Sequence, residues 1–280
     1  MSLGTTILFV TFFIRCSPFR LSDEENNPVL TGDELELIKN QIECNQTDDA
    51  LQFSAEQKRA MRQRAGVVGV KHWPNGVMVY SLDSNLNNDQ RRMIKTAINE
   101  YKKYTCINFR EKTAKDTDYV AFTNQQGCWS SIGMTGGRQD LSLGLGCYYE
   151  PVTAMHEMAH ALGFMHEQTR PDRDSWIDIL DTNIQDKMKY NFDRFNQGLV
   201  TDLPYDYKSI MHYDKMAFSK NGQITMRTHF PQFQDVIGQN VGFSTCDVAK
   251  INSLYNCNKD KYVTTCRLNR NYLAPFELAK

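Results

Sequence analysis

The spacing of apolar residues changes several times along the chain, and each change predicts an element. Residues 17–64 are polar, opening on an acidic, Asn-rich stretch and closing on Lys58-Arg59 and Arg62-Gln63-Arg64; within them, 55–64 also reads as a helix. From Ala65 the chain turns apolar and strand-like, with Val67, Val68 and Val70. Trp73-Pro74-Asn75-Gly76 is a turn signal, and Val77-Met78-Val79-Tyr80 after it reads as a β-branched and aromatic strand. Met93, Ala97, Ile98 and Tyr101 recur at helical spacing and predict a helix over 88–103, capped by Asn88 or Asp89. Residues 119–122 read as a short strand, and the Gly-rich stretch 128–147 suits a hairpin. The strongest helix signal covers 151–164, with Pro151 in the first turn and Gly163 near the end. Beyond it the chain is expected to be polar and irregular until a short helix over 247–254.

Composition narrows the class. The chain has 280 residues, 41% hydrophobic and 23% charged, with 15 Phe, 13 Tyr and 3 Trp. That is enough apolar material for a buried core and argues against disorder. A formal net charge of -1 argues against a nucleic-acid binder, which usually shows a basic stripe. Residues 5–14 (TTILFVTFFI) have the length of a signal-peptide core and are too short to span a bilayer, so secretion without a membrane anchor is expected. Of eight cysteines, Cys16 lies in the leader and Cys44 in the polar stretch. The remaining six, Cys106, Cys128, Cys147, Cys246, Cys257 and Cys266, form an even set suited to an oxidising compartment, though parity leaves the pairing open. The organisation expected is a signal peptide over 1–16, a removable segment over 17–64, a catalytic unit over 65–257 and a tail over 258–280.

The chemistry concentrates in His156-Glu157-Met158-Ala159-His160-Ala161-Leu162-Gly163-Phe164-Met165-His166-Glu167. Residues four apart on a helix sit about 40° apart around its axis, so His156 and His160 point the same way. Two such imidazoles suit one Zn²⁺ at about 2.0–2.1 Å. Glu157 follows the first His, within reach of a water at the metal without being a ligand. Gly163 can take positive φ and turn the chain so that His166 approaches from another side. Three neutral His ligands leave coordination positions open, the pattern of a catalytic rather than a structural zinc.

This motif resembles the metzincin pattern His-Glu-x-x-His-x-x-Gly-x-x-His, and Glu167 after the third His is similar to the astacin family. Ser209-Ile210-Met211-His212-Tyr213 looks like that family's Met-turn, and further matches run over roughly 65–257: Trp73-Pro74-x-Gly76, Cys128-Trp129-Ser130, Arg170-Pro171-Asp172-Arg173-Asp174, Ile237-Gly238-Gln239 and Leu254-Tyr255-x-Cys257. The resemblance implies an α+β catalytic domain of two subdomains, with a mixed, mostly parallel twisted sheet and a zinc-binding helix. It implies a secreted zinc metalloendopeptidase made as a latent zymogen, holding one Zn²⁺ per chain. His156, His160 and His166 would be ligands and Glu157 the general base. Tyr213 would be a displaceable ligand that also stabilises the oxyanion, and Met211 the apolar floor. Glu167 would contact the new N-terminus formed by maturation. Implied disulfides are Cys106–Cys257 and Cys128–Cys147, leaving Cys246 with Cys266. Leu30-Thr31-Gly32-Asp33 is similar to the family's inhibitory Phe-x-Gly-Asp, so Asp33 is expected on the zinc of the precursor, with the Cys44 thiolate as the alternative; Leu departs from Phe there. Arg227 resembles a position that favours acidic side chains after the cleaved bond. Expected partners are extended peptide or protein substrates and an activating protease cutting near Arg64-Ala65. A monomer is expected.

Overall fold

The computed structural model describes residues 70–144, 147, 150–195, 203–238, 241–258 and 260–269. The leader, Asp33, Cys44, Arg64 and the apolar stretch 65–69 lie outside them. Among the described residues no helix is long and apolar enough to cross a membrane.

The first half is a five-stranded sheet with two helices. Strands β1 (Val77–Leu82), β2 (Asn108–Glu111), β3 (Tyr119–Thr123), β4 (Cys128–Ser130) and β5 (Arg138–Leu143) lie in the order β2-β1-β3-β5-β4. All neighbours are parallel except β4, which runs antiparallel to β5 at the sheet edge. The sheet is thus mixed and mostly parallel, in an α+β chain. Central β3 is almost wholly buried, as expected for a strand covered on both faces. Helix α1 (Asn88–Tyr104) buries Gln90, Met93, Ile94, Ala97, Ile98 and Tyr101, a stripe spaced three and four apart. Its cap is Asn87 rather than Asn88 or Asp89. Asn87 Oδ1 accepts from the Gln90 N–H at 2.9 Å while Gln90 Oε1 accepts from the Asn87 N–H at 2.7 Å, a reciprocal capping box.

Helix α2 (Pro151–Leu162) packs along β4 and β5 and against α1. The Tyr101 hydroxyl donates to Met155 O at 2.7 Å, joining the two helices. Sheet and helices share one apolar cluster that includes Met78, Ile94, Phe122, Leu141, Leu143 and Met158. Gly163 ends α2 at φ 112°, where a Cβ would stand 2.9 Å from Val70 Cγ1. Gly133, at φ 67°, borders the same segment: a Cβ there would lie 2.7 Å from Lys71 O. Segment 70–72 therefore seats between two glycines, tied by the bond from Met134 N to Lys71 O at 2.8 Å.

The second half departs from the irregular chain expected there. It holds an antiparallel pair, β6 (Ile177–Ile179) with β7 (Met226–Thr228), among short 3-10 turns. Its core is largely aromatic, with Phe192, Tyr205, Tyr207, Tyr213 and Phe218. Helix α3 (Thr245–Leu254) starts before Asp247, because Ser244 caps it in a second capping box. The expected tail contains a further helix, α4 (Asp260–Asn269). Disulfides Cys106–Cys257, Cys128–Cys147 and Cys246–Cys266 tie β2 to the end of α3, close the β4–β5 hairpin and hold α4 on α3. Their Cα separations of 5.4, 5.6 and 5.0 Å are normal for such bridges.

Candidate metal centre

His156 and His160 project from one side of α2, and the turn at Gly163 brings His166 back to them. His160 Nε2 lies 3.2 Å from His166 Nε2, which lies 3.3 Å from His156 Nε2. The other ring nitrogens set the tautomers. His156 Nδ1 meets Ile210 O at 2.6 Å and His160 Nδ1 meets Phe164 O at 2.7 Å. A carbonyl only accepts, so both Nδ1 atoms carry hydrogen and both Nε2 atoms present lone pairs to the centre. Converging imidazole lone pairs repel unless a cation sits among them, and three nitrogens with an open side suit zinc. His160 and His166 are buried and His156 is half-buried. The residues present thus fit the metal that the sequence motif implies.

The remaining motif residues lie on the same helix and on the turn 209–213. Glu157, buried at 1% exposure, shares the helical turn with His156. Met211 is buried in the turn 209–213, and the Glu167 N–H donates to its carbonyl at 2.8 Å, coupling the turn to the third His. The Tyr213 ring centroid is 4.3 Å from that of His166, and its N–H donates to Gln168 Oε1 at 3.1 Å. His212 stands outside the triad. Its Nδ1 donates to Tyr213 O at 2.8 Å and its Nε2 accepts from the Tyr205 hydroxyl at 2.7 Å, while burial drives its pKa down to about 4.

Behind the third His lies a buried ionic cluster. Glu167 Oε2 accepts from Lys250 Nζ at 2.6 Å, and Oε1 accepts from Arg170 at 3.2 Å and the Asp206 N–H at 2.9 Å. Burial alone would raise the Glu167 carboxyl, but Lys250 and Arg170 hold it below the ordinary value. Arg170 also forks onto Asp172, with both bonds 2.8 Å, and donates to the carbonyls of Leu203 and Pro204. Asp206 is pushed up to about 6 by burial first, then by the nearby Asp247 carboxylate. Sequence reasoning missed Lys250, Asp206 and Asp247 as partners of the site; the Ser244-x-x-Asp247 capping signature is a readable signal for Asp247 alone. Arg227 sits on β7 opposite Asp178, with their charged groups 2.8 Å apart. Asp178 also takes His229 Nε2 at 3.0 Å. Arg227 is therefore an already paired cation, more than half exposed.

A mostly parallel sheet, a helix bearing His-Glu-x-x-His and a Met-containing turn bonded to the residue after the third His define the metzincin class of zinc metallopeptidases. Residues 67–256 match the model of the peptidase family Astacin, and the chain belongs to the astacin family. It is 40% identical over 224 residues to "Zinc metalloproteinase nas-8" of Steinernema carpocapsae, covering 78% of this chain and 53% of that protein. It is 42% identical over 192 residues to "Zinc metalloproteinase nas-6" of Caenorhabditis elegans, covering 68% and 55%. The chain thus spans about half the length of these curated relatives. Among solved structures, it is similar to "High choriolytic enzyme 1 (HCE-1), a hatching enzyme zinc-protease from Oryzias latipes (Medaka fish)", at TM-score 0.62 and 37% identity, covering 67% of this chain and 94% of that one.

Proposed function

We propose that this chain is a secreted, zinc-dependent endopeptidase made as a latent precursor. The observation that carries the reading is the convergence of the three histidine Nε2 atoms at 3.2 and 3.3 Å. When bound, zinc supplies Lewis acidity that brings the pKa of water down towards about 7. Glu157 takes the proton as water attacks the scissile carbonyl, then delivers it to the leaving amine. The Tyr213 hydroxyl donates to the developing oxyanion. Edge strand β4, lying against α2, offers backbone groups on which an extended peptide adds as another strand.

The proposed unit is 65–257, preceded by a signal over 1–16 and a pro-segment over 17–64 whose Asp33 or Cys44 holds the zinc. Cleavage near Arg64-Ala65 by an activating protease would release the block. Glu167, the expected partner of the new N-terminus, already accepts from Lys250 and Arg170, so an arriving ammonium joins an existing network. At Arg227 an acidic substrate side chain would compete with Asp178 for the guanidinium, which weakens the expected preference. The proposed protein acts as a monomer on extended peptide or protein substrates.

The test is cleavage of a quenched peptide library by the full chain, before and after trypsin, with and without 1,10-phenanthroline. Chelator-sensitive activity that appears only after trypsin is the expected result. A zinc-loaded, correctly trimmed protein that cleaves nothing overturns the reading.

A further inference from the structure

We infer that Asp247, on α3 and remote in sequence from the metal-binding helix, is a positioning residue for the zinc ligand His156. The connection runs through a single residue. Asp247 Oδ2 accepts from the Ile210 N–H at 3.0 Å, and Ile210 O accepts from His156 Nδ1 at 2.6 Å. The other carboxylate oxygen accepts from Ser209 Oγ at 2.5 Å, and Ser209 Oγ in turn accepts from the Met211 N–H at 3.0 Å. One carboxylate therefore fixes three consecutive residues, 209–211, which have no strand ladder of their own; turn bonds from Ser209 N to Asp206 O and from His212 N to Ser209 O bracket them.

The carboxylate is itself aimed. Asp247 Oδ2 accepts from the Ser244 N–H at 3.0 Å, a backbone bond that Ser244→Ala leaves in place, so the first turn of α3 sets its direction; the Ser244 side chain serves the cap itself, accepting from the Asp247 N–H at 2.8 Å. The physical consequence falls on His156. A ligating imidazole needs its Nδ1–H held so that the Nε2 lone pair stays on the metal, and such outer partners typically carry about 10–100-fold of metal affinity. A loop carbonyl performs that role well only while the loop is fixed. His160 supplies an internal control, because its Nδ1 partner is Phe164 O, at the end of its own helix and off this clamp.

The inference rests on the zinc reading, and zinc titration of the wild-type chain separates failure of that reading from failure of this one. The test uses the zinc-loaded full chain with Asp247→Asn and Ser209→Ala, and with Ser244→Ala as a control for cap loss. Zinc retention is read against a chelator series, and the two Nδ1–H resonances by ¹⁵N-edited histidine spectra. Asp247→Asn is expected to loosen zinc by up to about 10-fold, the low end for partners bonded directly to a ligand, moving the His156 resonance and leaving that of His160 in place. Ser209→Ala should shift both readouts the same way by less, and Ser244→Ala should lower the melting temperature while moving neither. Wild-type zinc affinity with an unmoved His156 resonance overturns the proposal. So does a joint shift of His156 and His160 matched by Ser244→Ala. Should Asp247→Asn fail to fold, Ser209→Ala carries the same two outcomes.

Discussion

The half of the molecule built on the five-stranded sheet buries Met78, Phe122, Leu141 and Leu143 in one apolar cluster, whereas the half after α2 rests on stacked aromatics and buried ions. Glu167, Arg170 and Lys250 are each less than a tenth exposed, and Asp206 and Asp247 lie beside them. Apolar burial is non-directional and tolerates small shifts, while a buried ion is stable only with every partner in place. The reactive residues sit at the boundary. The sheet half supplies α2 with His156, Glu157 and His160; the ionic half supplies Met211, Tyr213 and the setting of His166. A rigid helix presents the ligands, and a directional network holds what must approach them.

The largest expected effect lies at that boundary. Glu157→Gln should lower turnover by roughly 10²–10⁴-fold while metal analysis finds zinc at the wild-type level; retained activity in the zinc-loaded variant would remove Glu157 from the mechanism. Next, one truncation in each half tests whether they are held differently. Leu143→Ala should cost about 2–5 kcal/mol and Lys250→Met about 3–5 kcal/mol in urea unfolding. The first loss should be flat across pH, and the second should vary with it; two flat profiles would erase the contrast.

Asp206 sharpens the comparison through pH. Its folded pKa, about 6, lies above its ordinary value of 3.8, so the folded state binds the proton more tightly than the unfolded chain. Its contribution to stability is thus complete below about 3.8 and is lost as pH rises through about 6. Asp206→Asn removes that loss, so the stability of the variant relative to wild type should climb between those two values and level off above. A constant difference would place the proton elsewhere. The smallest effects should come from the caps. Asn87→Ala in α1 should cost about 1 kcal/mol by thermal melting, and Ser244→Ala in α3 somewhat more, because the Ser244 hydroxyl also donates to Asp206.

The same contrast explains what could be read from the sequence. Helix α1 announces itself because its buried stripe leaves a local period; β1 and β3 show as short runs of β-branched and aromatic residues, and α2 through Pro151 and Gly163 at its ends. Strand β2 gives no such signal, since Phe109 is its one buried residue and its pairing depends on the open edge of β1. Strands β6 and β7, three residues each, are too short to show a period at all. At the site, His156, Glu157, His160 and His166 fall within a single helix and the turn that ends it, so they are legible. Lys250 reaches Glu167 across 83 positions, and Asp247 reaches Ser209 across 38; no local pattern marks such partners.

Gly133 and Gly163 border one segment, 70–72, from two sides, and both hold backbone angles that side chains resist. For the way this protein can vary, they behave as one locus rather than two. A side chain at either position meets Val70 Cγ1, with Lys71 added at Gly133 and His72 at Gly163. Compensation common to both would have to come from Val70. Segment 70–72, a few residues beyond the expected cut site, is therefore bound in its evolution to the bend that delivers the third histidine.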